Sequence, residues 1–485
     1  VHMEEIELTE KNVNHAIFQF LFPFSILEGK EDDTANKLKE NGYEWFRLDK
    51  LEKEDDYYGQ YEIDHEDLEN YYLPFTNRIL FPKEEDGKGF QRYTKALGLK
   101  SHFKAPSYTA DFVIHSVDVF VCPYQIGILN VRVDLLNKNE LTYSQILDFG
   151  AKFRVMEEKN SFTSVICEGQ SFDHVQDYIF ECVIPDIKEY MSYKSEKSAY
   201  FESFPFFEDN RLYVQALISL EGDITEEDVY RLGNLDGFFQ DKPYISAHNK
   251  EFIHSFIEEK AYMRWAPYTY ILPESSGFFT LTKQTGREFS RIANSFYGQF
   301  YYGLILTLFH KIVLLKLENN YSEIRIEQDT KKVEKLIHAI NAFSSNYFFF
   351  ELATHSEGRD IFVKLRERFR VELLYEDTRN TLESLYQYQD NFTSKQSSSL
   401  LQILTLYSVI TGIFGMNLMV DSLNKDVNWT KTIGTLSFYE YIALFVIVSG
   451  VGISVFLSLR YIAIWYLDKQ ERKKWRKQIE YPNTK

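Results

Sequence analysis

Apolar residues along the first part of the chain recur with two different spacings. Runs rich in Val, Ile and Phe favour β-strands, whereas apolar residues spaced by three and four favour helices. Strands alternating with helices over residues 1–283 predict an α/β or α+β domain, and we expect α+β. The predicted strands are residues 17–27, 110–122, 126–136, 211–220, 268–272 and 277–281, with the last two forming a hairpin, and the predicted helices are residues 143–158 and 225–232.

Residues 284–395 have a helical pattern throughout and predict a helical bundle. Within it, residues 292–309 carry no formal charge and are long enough to cross a bilayer. The run also contains polar residues such as Asn294 and Gln299, and it continues directly into His310 and Lys311. We therefore expect this segment to be a mostly buried helix of the bundle.

The pattern of residues 359–392 predicts one long helix, because apolar residues recur at threes, fours and sevens and the segment contains neither Gly nor Pro. We expect this helix to run almost directly into residues 396–420, an uncharged segment that predicts a first membrane span. A loop at residues 421–440 separates it from a second predicted span at residues 441–467. Both spans should be helical, because a bilayer offers no water to backbone groups.

Composition restricts the class of protein. The mean hydropathy of −0.33 is too low for a polytopic transporter, so most of the 485 residues should lie in water. A net charge of −18 argues against direct nucleic-acid binding. No nucleophile elbow, P-loop or His-rich metal spacing points to an enzyme, and the three cysteines are expected to be free thiols.

Positive charge concentrates in the tail at residues 468–485. Basic segments remain cytoplasmic, and two spans then place the large N-terminal domain on the same side. The sequence therefore predicts a multi-pass protein of the plasma or inner membrane with both termini in the cytoplasm. The residues that carry this prediction are Arg472, Lys473, Lys474, Arg476 and Lys477.

The first predicted span ends on Gly415-Met416-Asn417, and a second span and a basic, Trp-containing tail follow it. This arrangement resembles the CorA superfamily of divalent-cation channels. The resemblance implies a funnel-like homopentamer in the lipid bilayer with the first span innermost. It also implies that a ring of Asn417 side chains at the pore mouth holds hydrated Mg²⁺ through its water shell, since Mg²⁺ loses its water reluctantly.

One face of the first span is small and hydroxylated, which favours pore lining. Close packing between helices is the alternative, because small residues serve that role too. The predicted pore-lining residues are Ser397, Leu401, Thr405, Ser408 and Gly412.

Three departures from the family pattern leave two functions open. The loop after Asn417 lacks Met-Pro-Glu, residues 394–399 are mostly Ser where bulky apolar residues are expected, and the N-terminal part is unusually large. The first function is a channel for Mg²⁺ or a related divalent cation that closes when acidic clusters of the cytoplasmic domain bind metal. The second function is that of the CorA-like proteins that accompany type III CRISPR systems: a membrane effector opened by a nucleotide second messenger and acting by membrane leakage.

A phosphate-bearing ligand requires cationic partners. Arg154, near the end of a predicted helix, is the candidate for the phosphate. Asp223, in a loop before another helix, is the candidate for a ribose or an amine. Structural salt bridges are the alternative for both residues.

Overall fold

A computed structural model describes residues 6–48, 57–61, 65–85, 88–157, 162–185, 187–192, 207–240, 242–325 and 329–415, and scattered helical positions between 438 and 466. The chain forms two compact units. One unit comprises Val1–Arg325 with Ala339–Thr378, and the other comprises Ile326–His338 with Arg379–Lys485.

The first unit is built on a mixed sheet. The described strands are β1 (Val13–Ser25), β2 (Glu44–Trp45), β3 (Gln91–Lys104), β4 (Thr109–Cys122), β5 (Ile126–Leu135), β6 (Ser164–Cys167), β7 (Gln170–Phe172), β8 (Tyr213–Leu220), β9 (Phe238–Phe239), β10 (Lys242–Pro243), β11 (Thr269–Glu274) and β12 (Gly277–Thr282). The order in the sheet is β11-β12-β8-β1-β5-β4-β3-β6-β7, to which β2 is added beside β3. Neighbouring strands are antiparallel except β12 and β8, which are parallel. The predicted α+β class is therefore correct for this unit.

Helices flank the sheet and form the region that follows it. The π-helical turn Phe296–Phe300 joins two of them. The helices are α1 (Glu31–Glu40), α2 (His65–Tyr71), α3 (Pro74–Leu80), α4 (Tyr143–Phe153), α5 (Val175–Tyr178), α6 (Glu226–Asn234), α7 (Lys250–Lys260), α8 (Gly286–Ser295), α9 (Tyr301–Glu323), α10 (Thr330–Asn346), α11 (Ser356–Arg368) and α12 (Val371–Gly415).

Both faces of the sheet are covered. On one face, Phe18 of β1 packs edge-on against Phe149 of α4. On the other face, Ile17 belongs to a cluster with Phe289 and Ile292 of α8. Burial on both sides explains why β1 has an almost continuous apolar sequence and not an alternating one.

Helix α9 contains the second half of the uncharged run at residues 292–309, and it lies in the core. Gly286–Glu323, which includes α8, the π-helical turn and α9, is the one described helical segment that is long and apolar enough to cross a membrane. Of its most apolar window, 89% is buried inside the protein. Such burial is typical of a core helix, and a helix that is apolar on all sides needs it.

The long helix predicted from residue 359 is interrupted, so that part of the prediction is wrong. Helix α11 ends at Arg368, Phe369 enters the core, and Arg370 adopts a left-handed conformation with φ of 57°. A left-handed residue commonly terminates a helix, but it is usually a glycine. Helix α12 then continues without a break into residues 396–415, as the sequence predicted.

Candidate functional site

The predicted pore mouth lies at the limit of the described residues. Gly415 is the last residue of α12. Met416, Asn417, the loop at 421–437 and the basic tail with Arg472, Lys473, Lys474, Arg476 and Lys477 all lie outside the described residues, as does most of the second predicted span.

The five predicted pore-lining residues lie along α12. All of Ser397, Leu401, Thr405, Ser408 and Gly412 are exposed in the single chain. Residues on the other sides of the helix are exposed as well: Ile403 is 50%, Leu404 64% and Leu406 60% exposed. An apolar surface that surrounds a helix in this way is typical of a segment meant for lipid or for other copies of the chain.

Arg154 lines a pocket at the end of the sheet where β8 begins. Arg154 is the C-terminal cap of α4, and its carbonyl oxygen accepts a hydrogen bond of 2.7 Å from the backbone N–H of Leu212. Ser275 and Ser276 of the turn between β11 and β12 line the pocket, and so does Lys311 of α9. The pocket has a volume of about 230 Å³ and is lined by Phe22, Pro23, Arg154, Phe207, Glu208, Asp209, Arg211, Tyr213, Ser275, Ser276 and Lys311.

Gly277 holds the β11–β12 turn close to the pocket. A Cβ atom at this position would lie 1.7 Å from the carbonyl oxygen of Val214 in β8, so only glycine fits. The backbone N–H of Val214 donates a hydrogen bond of 3.0 Å to the carbonyl oxygen of Ser276. These contacts place Ser275 and Ser276 at the wall of the pocket.

Three cations and two carboxylates line the pocket, which leaves one positive charge in excess. Lys311 pairs with Glu208 at 2.8 Å, and the Tyr213 hydroxyl donates a hydrogen bond to the same carboxylate. Burial, and then the nearby Glu208, raise the pKa of Tyr213 well above its usual value, so Tyr213 is a neutral hydrogen-bond donor. Arg211 pairs with Asp209 only loosely, at 3.9 Å.

Arg154 provides the unneutralised charge. Among the described residues, its Nε atom is buried without a hydrogen-bond partner. Burial, and then the neighbouring Arg211, lower the pKa of Arg154 to about 10. A guanidinium in this state favours an anion, and two arginines with a lysine and serine hydroxyls suit a phosphate group in particular.

Asp223 is not part of this pocket. Asp223 follows the end of β8, whereas Arg154 lies beside the start of that strand. Because β8 spans about 23 Å, the two residues lie at opposite ends of it. The Asp223 side chain is 95% exposed and pairs with Lys283 at 3.0 Å. The hydrogen bond from Lys283 lowers the pKa of Asp223. Within one chain, the two predicted ligand-binding residues therefore do not form one site.

The sequence did not reveal the other pocket residues, Glu208, Arg211 and Lys311. They come from a loop, the approach to a strand and a core helix, and no motif links them. Lys311 did carry a signal, because a buried lysine within a long apolar helix needs an anionic partner. The pattern could not show which residue that partner would be.

A second polar cluster, also missed by the sequence analysis, lies between the sheet and α9. Asp118 is fully buried and accepts hydrogen bonds from Arg132 and from the Tyr301 hydroxyl at 2.6 Å, and it pairs with Arg92 at 3.2 Å. Burial alone would raise the pKa of Asp118, but Arg132 and Arg92 outweigh this effect and hold the pKa well below its usual range. The cluster is enclosed, and it joins α9 to β3, β4 and β5.

Acidic runs proposed as metal sensors have structural roles where they are described. Glu31, Asp32 and Asp33 form the first turn of α1, and Glu226 to Asp228 form the first turn of α6. Negative side chains stabilise helix N-termini. Among the described residues, no group of three or more His, Cys, Asp or Glu side chains could hold a metal ion.

Comparison with known proteins does not assign the chain. No protein-family model matches it, and no curated protein matches it.

Proposed function

We propose that this protein is a CorA-type homopentameric membrane channel for Mg²⁺ or a related divalent cation, controlled by its large N-terminal domain. The observation that supports this proposal best is α12. The helix begins at the buried Val371 and continues for 45 residues to Gly415, and it exposes apolar side chains around its circumference over residues 400–409. It ends at the Gly-Met-Asn sequence.

Two spans per chain cannot enclose a conduit, so the proposal requires several copies, with the face containing Leu401 and Thr405 directed inward. Asn417 amide oxygens would form a ring at the mouth and bind the hydrated ion. Such oxygen rings select ions by replacing or ordering their water. The proposal assigns no catalytic residue.

The test is ion flux into liposomes that contain a Mg²⁺-sensitive dye. Asn417→Ala should abolish Mg²⁺ flux or change its selectivity, while Asn424→Ala, a matched change in the adjoining loop, should leave both intact. The purified particle should have the mass of five 57.5 kDa chains. A monomeric or dimeric particle, or unchanged flux and unchanged inhibition by cobalt hexaammine in Asn417→Ala, would refute the proposal.

A second candidate function is a channel opened by a phosphate-bearing ligand, as in a CorA-like effector of a type III CRISPR system. The cationic pocket at Arg154 favours this candidate specifically, because a channel that senses metal has no use for an excess of positive charge there. The pocket volume of about 230 Å³ lies below the range for whole drug-sized ligands. It suits a phosphate group with its nearest substituent, as in a nucleotide second messenger.

Calorimetric titration with a panel of nucleotide second messengers tests this candidate. Arg154→Ala should weaken binding by about 1.5–3 kcal/mol, the range for a hydrogen bond to a charged group. The mutant should assemble but should not release dye from liposomes when the ligand is added. Asp223→Ala should bind as wild type, because Asp223 lies at the other end of β8. If no nucleotide binds, or if millimolar Mg²⁺ alone controls flux, the second function is excluded.

A further inference from the structure

Glu208 is an anion supplied by the protein itself to its cationic pocket. Its carboxylate lies 2.8 Å from Lys311 Nζ and accepts the hydrogen bond of the Tyr213 hydroxyl. The two charged partners differ in solvent access, since the Lys311 side chain is 9% exposed and that of Glu208 is 42% exposed.

This difference has an energetic consequence. A buried ammonium is costly without a counter-ion, and within the described residues Glu208 is the carboxylate within 4 Å of Lys311. A partly exposed carboxylate, in contrast, can turn into water at little cost. An anion that enters the pocket can therefore replace Glu208 at Lys311 and Tyr213, and it gains Arg154 and Arg211 as additional partners.

The same two residues also hold the start of α12. The Tyr213 ring stacks on Phe369 with 5.7 Å between centroids, and Lys311 Nζ lies 5.3 Å from the centre of the Phe369 ring. Phe369 is fully buried and is followed by Arg370, whose left-handed backbone separates α11 from α12. Residues at the ends of elements often absorb the backbone change in a hinge.

We infer that a phosphate-bearing anion displaces Glu208 from Lys311 and Tyr213, and that the Phe369–Arg370 junction transmits this exchange to α12. The inference rests on the second candidate function, because it describes how the ligand of that function would act on α12. The pocket then has two arrangements: Glu208 contacts Lys311 and Tyr213, or the anion takes its place. An element with two arrangements is what physical coupling between two sites requires.

Pyrophosphate is a suitable probe because it carries the phosphate chemistry without a nucleoside. Calorimetry on the full-length protein at constant ionic strength should show that Glu208→Gln binds pyrophosphate roughly tenfold tighter than wild type or more, because the competing carboxylate is gone. The glutamine retains an oxygen for the Tyr213 hydroxyl. Asp111→Asn is the matched control: its side chain is 41% exposed, close to the 42% of Glu208, but it pairs with His102 outside the pocket, so the affinity should stay within about twofold of wild type.

Hydrogen exchange at the junction tests the transmission. The Leu374 amide donates the first hydrogen bond of α12, 3.1 Å long, to the Arg370 carbonyl. Pyrophosphate should accelerate exchange over residues 369–374 in wild type. Phe369→Leu keeps an apolar side chain but loses the stacking, so it should bind pyrophosphate normally without this acceleration.

The outcomes separate the inference from the function on which it rests. Absence of pyrophosphate binding in both wild type and Glu208→Gln overturns the anion site itself. Equal binding by these two proteins keeps the site and overturns the role of Glu208. Two outcomes keep the role of Glu208, shown by tighter binding in Glu208→Gln, but overturn the transmission through Phe369. In the first, pyrophosphate does not accelerate hydrogen exchange over residues 369–374 in wild type. In the second, it accelerates exchange equally in wild type and in Phe369→Leu.

Discussion

Asp118 lies between two buried arginine side chains, so the substitution Asp118→Asn removes the charge that neutralises them. Arg132 contacts both carboxylate oxygens, one of them at 3.0 Å, and Arg92 approaches to 3.2 Å. Tyr301 and Thr94 donate further hydrogen bonds of 2.6 and 2.8 Å. An asparagine has a similar shape, but it cannot accept from all of these donors and carries no charge.

The expected loss follows from the burial of all three charged groups. Arg132 and Asp118 are 0% exposed and Arg92 is 2% exposed. Breaking a buried ion pair by removing one partner costs about 3–5 kcal/mol, because the remaining charge is left uncompensated. For a cooperative unit of several hundred residues, about 1–2 °C is lost per kcal/mol, so the unfolding midpoint should fall by about 3–10 °C.

Thermal unfolding of the detergent-solubilised protein at pH 7.5, followed by intrinsic fluorescence, measures this loss. Asp111→Asn on the same strand is the matched control. Asp111 is 41% exposed and pairs with His102, so its replacement should move the midpoint by less than about 1 °C. Equal midpoints for Asp118→Asn and Asp111→Asn would contradict the argument.

A triple variant isolates the charge from the packing. Asp118→Leu combined with Arg92→Met and Arg132→Met replaces the cluster by apolar side chains of similar size. Such replacements are often neutral or stabilising, so most of the loss should be recovered. A triple variant no more stable than Asp118→Asn would show that the uncompensated charge is not the cause.

Three further predictions concern single features of the first unit. Burial lowers the pKa of His310 to about 3. The contribution of the neutral imidazole to the free energy of unfolding is therefore fully present above the unfolded pKa of about 6.5 and is lost as the pH falls below that value. In urea unfolding, His310→Gln should reduce the loss of stability between pH 7 and pH 5 by about 2 kcal/mol. The sulfur atoms of Cys167 and Cys182 lie 3.2 Å apart. The oxidant diamide should therefore take two electrons and two protons from the two thiols and leave one disulfide. Peptide mapping should detect this disulfide in wild type and not in Cys182→Ser. A Cβ at Gly277 would lie 1.7 Å from the carbonyl oxygen of Val214, so Gly277→Ala should shift the β11–β12 turn and weaken pyrophosphate binding. An unchanged affinity would show that the turn does not shape the pocket.

Local pattern was sufficient for six of the twelve described strands, β1, β4, β5, β8, β11 and β12, and for helices α4 and α6, but it did not reveal the long strand β3. The β-branched and aromatic runs at β4 and β5 predicted strands within one residue of their observed ends. The α+β class followed from the alternation of element types. The buried position of residues 292–309 was also predictable, because polar residues interrupt this uncharged run and His310 and Lys311 follow it directly. These features depend on neighbours in sequence, which is the information that periodicity contains.

The interruption before α12 was not predictable in the same way. Residues 359–392 contain neither Gly nor Pro, and their apolar spacing is continuous. Packing decides the break: Phe369 is drawn against Tyr213, a residue far away in the chain, and Arg370 takes the left-handed conformation that this requires. A tertiary contact can outweigh the modest cost of such a backbone conformation.

The candidate site shows the same division. The sequence by itself placed an uncharged, apolar segment before Gly-Met-Asn, and it offered Arg154 as a candidate partner for a phosphate group. Only the tertiary structure decided that Arg154 meets Glu208, Arg211 and Lys311, that Asp223 lies elsewhere, and that Lys311 and Tyr213 also hold the start of α12. The reason is physical: the charge balance of a pocket and the contacts of a hinge depend on side chains brought together from distant parts of the chain, and their separation in sequence leaves no periodic trace.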